Sequence, residues 1–191
     1  MTVHGTIFIF LEQFAGDQLG SGAWEGMLKA GRLDGRVFSA DQAYEDADLV
    51  ALVGAASAAT KVPSSELLGR FGEWLVPDLL ALYSYLIRPE WDVLDLLLNT
   101  ERMIHQAVRL GNPGAAPPRL TANRSGPHEV TILYSSQRKM CTLGEGIIRG
   151  LGLHYGTPVE VSQPTCMHTG DPYCKIVARA PGSPETPRAR V

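Results

Sequence analysis

The feature that most constrains this sequence is a change in the spacing of its apolar residues near residue 113. Up to about residue 110, apolar positions recur with the 3.6-residue period of an α-helix. The Gly-Asn-Pro-Gly run at 111–114 then stops helical propagation. Beyond it, apolar and polar residues alternate over 129–134, which is typical of a strand with one buried face. The chain therefore predicts an α+β fold, with a helical part over about 1–112 and an α/β part over about 113–180.

The helical part should contain several helices separated by short breaks. Leu49, Val53 and Ala56 have the spacing that puts them on one face of a helix. A serine at 64 or 65 can cap the start of another helix, which should run until a proline interrupts it at 77. A longer helix is expected over about 91–110. This part is expected to pack as a helical layer.

The second part should form an antiparallel sheet with one helix crossing it. The segment 138–155 is compatible with a helix, and two of its four glycines are spaced so that another element can approach closely. Turn residues at 169–172 should join a strand ending near His168 to a strand that carries Cys174. Residues 181–191 contain three prolines and almost nothing apolar, so we expect a disordered tail there.

The composition excludes several classes of function. A chain of 191 residues, 45% hydrophobic and 19% charged, suits one folded domain, which we place over 1–180. The net charge of -3 offers no basic excess, so a nucleic-acid partner is not expected. The longest apolar run, at 94–98, is too short for a membrane span, and the N-terminus lacks the positive region of a secretion signal. A cytoplasmic protein is expected. No nucleophile elbow or phosphate loop is present, so we predict no enzymatic activity.

One histidine of the helical part is a candidate metal or haem ligand. His105 lies at helical spacing from Leu97, Leu98 and Val108, so its imidazole is expected to face inward. A buried histidine is more often a hydrogen-bonded core residue than a ligand. This helix alone leaves both interpretations open.

A cluster of polar residues follows the first predicted strand of the second part. Tyr134, Ser136 and Arg138 lie two residues apart, so an extended chain would place them on one face. A guanidinium flanked by two hydroxyls is suited to a carboxylate, which arginine can bind through two parallel hydrogen bonds. The alternative is a strand-end tyrosine with solvated polar neighbours.

The three cysteines of the chain indicate a zinc site. Cys166 and His168 would share a face if the segment is extended, and Cys174 would return on the partner strand. With Cys141 on the preceding helix, the set provides four ligands of the kind that hold tetrahedral zinc. The alternative is three unrelated buried thiols and a surface histidine.

Taken together, these residues resemble the haem nitric oxide/oxygen-binding family, called H-NOX, which is related to the sensor domain of soluble guanylate cyclase. The resemblance covers nearly the whole chain and includes the Tyr-x-Ser-x-Arg signature at 134–138, the helix around His105 and the Pro-Pro-Arg run at 117–119. It implies a b-type haem between the helical part and the sheet. His105 would be the axial ligand of the iron, Tyr134, Ser136 and Arg138 would hold the haem propionates, and Pro118 would press on the porphyrin.

The resemblance also implies which gas the protein senses. In O2-binding members, a tyrosine donates a hydrogen bond to the bound gas from the position that Leu143 occupies here. Leucine has no donor, and Ile7 and Ile147 match apolar positions of the same pocket, so NO and CO are the expected ligands and no stable O2 complex is expected. Trp74 is a further expected pocket residue and, with Tyr83, a possible donor. Release of the proximal histidine would carry the signal to a separate protein, such as a histidine kinase or a cyclic-di-GMP enzyme.

Two alternative functions remain open at this point. The Cys-Met-x-x-Gly-Asp-x-x-Cys run at 166–174 also resembles small-ligand domains of the vinyl-reductase type, which would bind an apolar ligand and structural zinc without haem. The cysteines would equally suit a zinc and thiol redox sensor, a role proposed for a similar site in some bacterial H-NOX proteins. Neither alternative accounts for His105 or for the cluster around Arg138.

Overall fold

The structure is a computed structural model that describes residues 2–112 and 114–181. Its α-helices are α1 Gly5–Phe14, α2 Ala23–Ala30, α3 Asp46–Thr60, α4 Ser64–Trp74, α5 Val76–Leu82, α6 Val93–Asn99, α7 Gln106–Gly111 and α8 Cys141–His154. Its strands are β1 Thr2–His4, β2 Ala43–Glu45, β3 Arg119–Gly126, β4 Glu129–Ser135, β5 Glu160–Thr165 and β6 Cys174–Arg179. Residues 182–191 of the predicted tail, and Pro113 within the predicted break, lie outside the described residues.

The first core lies among α1, α2, α3 and α4. The face of α3 expected from the periodicity is buried, with Leu49 and Ala56 almost fully covered. Phe8 of α1 stacks on Phe38 at 4.2 Å between ring centroids. Helix α4 begins at Ser64, but no serine side chain caps it, since Pro63 occupies the N-cap position. A short antiparallel pair of β1 and β2, which the sequence did not predict, joins the N-terminus to this layer.

The long helix predicted over 91–110 is present but is not a regular α-helix throughout. It begins with a reciprocal capping interaction in which the Asp92 carboxylate accepts from the Asp95 N–H at 2.8 Å. Between α6 and α7, residues Thr100–His105 form a π-helical turn. Such turns are rare and occur frequently at functional sites. The apolar face of α6 is buried against the second core, so this helix borders the sheet.

The second core lies between α6, α8 and a four-stranded antiparallel sheet of order β3-β4-β6-β5. The alternation predicted for β4 is observed, because Val130, Ile132 and Tyr134 all point into this core. Sequence reasoning did not predict β3, in which only Leu120 and Ala122 alternate with polar residues and which pairs with β4. The α+β architecture is therefore confirmed, with a helical layer, an antiparallel sheet and a helix that crosses between them.

Glycines allow α8 to lie directly against α4. A Cβ on Gly146 would meet the backbone of Gly69, and a Cβ on Gly150 would lie 2.8 Å from the Glu73 carbonyl oxygen. Ile147, which faces the same side, packs against both cores. Helix α8 is thus the element that joins the helical layer to the sheet. Within the described ranges, no helix is both long and apolar enough to cross a membrane.

Candidate functional site

A cavity of about 250 Å³ lies between the helical layer, the helix that carries His105, and α8. Its wall is predominantly apolar and is contributed by nearly every part of the fold. The residues that line it include Thr2, Ile7, Tyr83, His105, Ala116, Pro118, Tyr134, Arg138, Leu143, Gly144 and Ile147. Apolar walls with a few convergent polar groups are typical of small-molecule and cofactor sites.

His105 is the last residue of the π-helical turn, and its side chain is 16% exposed. Its Nδ1 lies 3.1 Å from Oε2 of Glu101, one turn earlier in the same helix. Burial lowers the pKa of His105 below the usual histidine value, and the hydrogen bond with Glu101 and the Pro118 carbonyl only partly oppose that effect. The imidazole is therefore neutral at neutral pH, which is the form that can bind a metal.

Glu101 was not singled out by sequence reasoning, although its position four residues before His105 could have identified it. Its Oε2 also accepts the backbone N–H of Leu120 at 3.1 Å, and its Oε1 accepts from the guanidinium of Arg109. Leu120 belongs to β3 and Arg109 to α7. One carboxylate thus joins the histidine, its own helix and the edge of the sheet.

Arg138 lies at the same cavity with a side chain that is only 10% exposed. Its Nε is 3.1 Å from Oδ1 of Asp46 at the start of α3, and its terminal nitrogen donates to the carbonyls of Thr2, at 3.3 Å, and Ala116. A guanidinium that is largely shielded from water and pairs with a carboxylate is suited to binding acidic groups. Asp46 is a second residue that sequence reasoning did not identify.

The three residues of the polar signature do not share one strand face. Tyr134 is buried at the cavity in β4, and burial raises its pKa above the usual tyrosine value. The chain turns after Ser135, and the Ser136 Oγ accepts the N–H of Arg138 at 3.3 Å. Ser136 does not line the cavity. The structure therefore brings Tyr134 and Arg138 to the cavity through a turn that Ser136 supports.

Most of the predicted apolar pocket residues line the cavity, but Trp74 does not. Ile7, Pro118, Leu143 and Ile147 are all part of the wall. The Trp74 ring instead packs edge-on against Phe14 in the first core, with 5.8 Å between ring centroids. Tyr83, by contrast, reaches the cavity, and burial raises the pKa of its hydroxyl above the usual value. Tyr83, and not Trp74, is therefore the residue of this pair that can donate a hydrogen bond into the cavity.

The three cysteines converge at the start of α8, and none of them lines the cavity. The sulfur atoms of Cys141, Cys166 and Cys174 all lie within 4.8 Å of one another, and Cys141 and Cys166 are separated by 3.8 Å. Burial raises the pKa of Cys141 to about 12, and it also raises that of Cys174. In the absence of a metal these two groups are neutral thiols.

The extended conformation expected for Cys166 and His168 was wrong. Met167–Thr169 form a 3-10 turn, so the two side chains do not share a strand face. His168 is exposed, and its Nε2 lies 2.6 Å from the carbonyl of Lys139. The structure therefore brings the three thiols together without His168.

Comparison with known proteins identifies the family to which this chain belongs. A family profile for haem-NO-binding domains matches residues 4–163, which is most of the chain. The chain belongs to the haem-NO-binding family. No curated protein matches this haem-NO-binding domain closely enough to count as a relative.

Solved structures of H-NOX proteins share the fold of this haem-NO-binding domain. The crystal structure of an H-NOX protein from S. oneidensis in the Fe(II)NO ligation state is 23% identical, with a TM-score of 0.87, and the match covers 94% of this chain and 100% of that chain. The crystal structure of the Fe(II) unliganded H-NOX protein from K. algicida is 20% identical, with a TM-score of 0.84, and the match covers 95% of this chain and 98% of that chain. At these identities the likeness establishes the fold.

H-NOX domains form a family of haem-based gas sensors, and they are sensor domains rather than catalysts. The residues at the cavity fit a haem. An imidazole and a largely buried guanidinium face a mostly apolar space, and these are the groups that an iron atom and a pair of propionates require. The family match therefore favours the haem-binding interpretation over the haem-free small-ligand module.

Proposed function

We propose that this protein is a haem-based NO sensor that holds a b-type haem in the cavity with His105 as the axial ligand. The observation that carries the proposal is an imidazole on an apolar cavity wall that also presents an arginine whose side chain is largely buried. Histidine ligation of ferrous haem in such a pocket supports reversible binding of diatomic gases. This function requires no catalytic group.

In this proposal Arg138 and Tyr134 bind the haem propionates. The guanidinium already pairs with the carboxylate of Asp46, which shows that this environment accommodates an acidic partner. The Tyr134 hydroxyl, which burial keeps protonated, can donate to a second carboxylate oxygen. Ser136 contributes by holding the turn that aims Arg138 at the cavity. Pro118, on the cavity wall beside His105, is the residue that would press on the porphyrin.

The same cavity supports a preference for NO and CO over O2. Bound O2 draws negative charge from ferrous iron and gains from a hydrogen-bond donor, whereas NO binds strongly without one. Leu143, Ile7 and Ile147 offer no donor at the expected distal positions. A stable O2 complex would point to Tyr83, the tyrosine that reaches the cavity in addition to Tyr134.

We further propose that NO signals by releasing His105. NO binding would weaken the bond between the haem and His105, so the helix that carries His105 would lose its attachment, and Pro118, on the other side of the chain break, would no longer be opposed by it. A rigid-body shift of the helical layer against the sheet would follow, because packed interfaces move between discrete arrangements. A separate cytoplasmic protein, of the histidine kinase or cyclic-di-GMP enzyme class, would bind the shifted surface.

The test of haem ligation is the spectrum of the purified protein. Wild type should show the Soret band of a histidine-ligated ferrous haem, and His105→Ala should lose the haem or keep it only with added imidazole. His128→Ala removes an exposed histidine and should leave the spectrum unchanged. Normal haem content with an unchanged ferrous spectrum in His105→Ala would remove His105 as the ligand.

A zinc ion held by the three cysteines is a second proposal, supported by their mutual distances. Three sulfurs within 4.8 Å of one another match the arrangement of thiolate ligands around one metal ion. Zinc binding would deprotonate thiols that burial otherwise keeps neutral. Elemental analysis of protein prepared without chelator should find about one zinc per chain, and Cys141→Ser should lose it. Absence of zinc under reducing conditions would instead favour the thiol redox interpretation.

A further inference from the structure

The carboxylate of Glu101 makes hydrogen bonds to three different parts of the site. It reaches the imidazole of His105, the backbone N–H of Leu120 in β3, and the guanidinium of Arg109 in α7. The side chain of Glu101 is 29% exposed, and that of His105 is 16% exposed, so water screens the contact only in part. The contact between Glu101 and His105 is therefore less screened by water than an ion pair on an exposed surface.

The donors around Glu101 determine which nitrogen of His105 carries the proton. The Leu120 N–H and the Arg109 guanidinium can only donate, so both carboxylate oxygens act as acceptors. With both oxygens already accepting, the Glu101 side chain acts as an acceptor toward His105 as well, and therefore Nδ1 of His105 donates to Oε2 across their 3.1 Å contact. In the neutral imidazole the lone pair is then left on Nε2, which is the nitrogen that can bind a metal.

The same oxygen also connects the histidine to the sheet. Oε2 accepts from both His105 and Leu120, and Leu120 pairs with Tyr134 in the register of β3 and β4. The helix that carries His105 cannot move away from β3 without breaking the bond between Glu101 and Leu120. Glu101 is therefore placed to influence both the ligand and the movement of its helix.

We propose that Glu101 is a positioning residue for His105, which fixes the tautomer and orientation of the imidazole and strengthens its bond to the haem iron. The inference rests on the proposed haem ligation and adds to it a residue that controls how readily His105 is released. A carboxylate hydrogen-bonded to the distant nitrogen of a ligating histidine raises the basicity of the ligand. Removing that carboxylate should weaken the bond to the metal.

The experiment compares the full-length ferrous protein with Glu101→Leu, which removes the acceptor, and with Glu101→Gln, which keeps the size but removes the charge. Resonance Raman spectroscopy should show a lower iron-histidine stretching frequency in both variants, and release of haem to an acceptor protein should become about 10-fold faster or more. Glu66→Gln is the matched control, because Glu66 pairs with Arg70 at the same helical spacing on an exposed surface. It should change neither value.

A second measurement needs no variant and no haem. Nitrogen-15 NMR of the full chain produced without haem should show His105 protonated on Nδ1. Protonation on Nε2, or Raman frequencies in Glu101→Leu and Glu101→Gln that coincide with wild type, would overturn the proposal. A wild-type protein that binds no haem would instead refute the proposed function, and the NMR result would still decide the role of Glu101.

Discussion

Replacing Gly146 with alanine should move α8, which joins the two halves of the fold, away from α4. The added Cβ would lie 2.9 Å from the carbonyl carbon of Gly69 and closer still to its oxygen. These are backbone atoms of α4, so no side chain can rotate to make room. Non-bonded heavy atoms pack best at about 3.5–4.0 Å, so the helices must move apart by at least about 0.5 Å.

The cost can be estimated from the two effects that oppose each other. Alanine is favoured over glycine inside a helix by about 1 kcal/mol. Overpacking in a dense interface costs about 1–3 kcal/mol and occasionally more, and a clash between two backbones belongs at the upper end. We expect Gly146→Ala to lower the free energy of unfolding by about 2 kcal/mol, which corresponds to a fall in Tm of about 4–8 °C for a domain of this size.

Thermal and urea unfolding of the purified protein would test this estimate. Gly54→Ala is the matched control, because Gly54 is an exposed glycine inside α3 whose added Cβ would meet nothing within 4 Å. It should be as stable as wild type or slightly more stable. If Gly146→Ala and Gly54→Ala have the same Tm and the same urea midpoint, the close approach of α4 and α8 does not control the stability of the domain. Because α8 also carries Leu143 and Ile147, Gly146→Ala should in addition loosen the haem.

The cavity and the cysteines give four further predictions. Arg138→Ala should cost about 2–5 kcal/mol of haem affinity, as when a buried charge pair loses one partner, and unchanged rates of haem transfer to an acceptor protein would contradict its role. Leu143→Tyr should produce a stable O2 complex that wild type lacks, visible as an oxy spectrum in air, and an oxy spectrum in wild type would contradict the assignment. In metal-free protein at pH 8, Cys166 should be alkylated before Cys141, since burial raises the pKa of Cys141 to about 12, and equal rates by mass spectrometry would refute this. The unfolded chain releases that proton near pH 9 and the folded chain does not, so the Cys141 contribution to stability should be lost as pH rises above 9.

Local patterns predicted the elements on which the site is built. The burial of Leu49 in α3 and of Ile132 in β4 follows from side-chain periods of 3.6 and 2, which depend only on neighbouring residues. The same periods could not predict the structure of segments in which the chain departs from regular helix or strand geometry. The segment after Cys166 forms a 3-10 turn, and β3 alternates only at Leu120 and Ala122, so its remaining length depends on hydrogen bonds to β4.

The sequence by itself determined the α+β fold and the family, and it identified His105 and Arg138 as the residues of interest. Only the tertiary structure decided what surrounds them. Asp46 reaches Arg138 from the start of α3, and Glu101 binds the backbone of Leu120 in β3 as well as His105, whereas Trp74 turns into the first core instead of the cavity. Periodicity specifies which face of an element is buried, whereas contacts between elements distant in the chain depend on how those faces pack against one another.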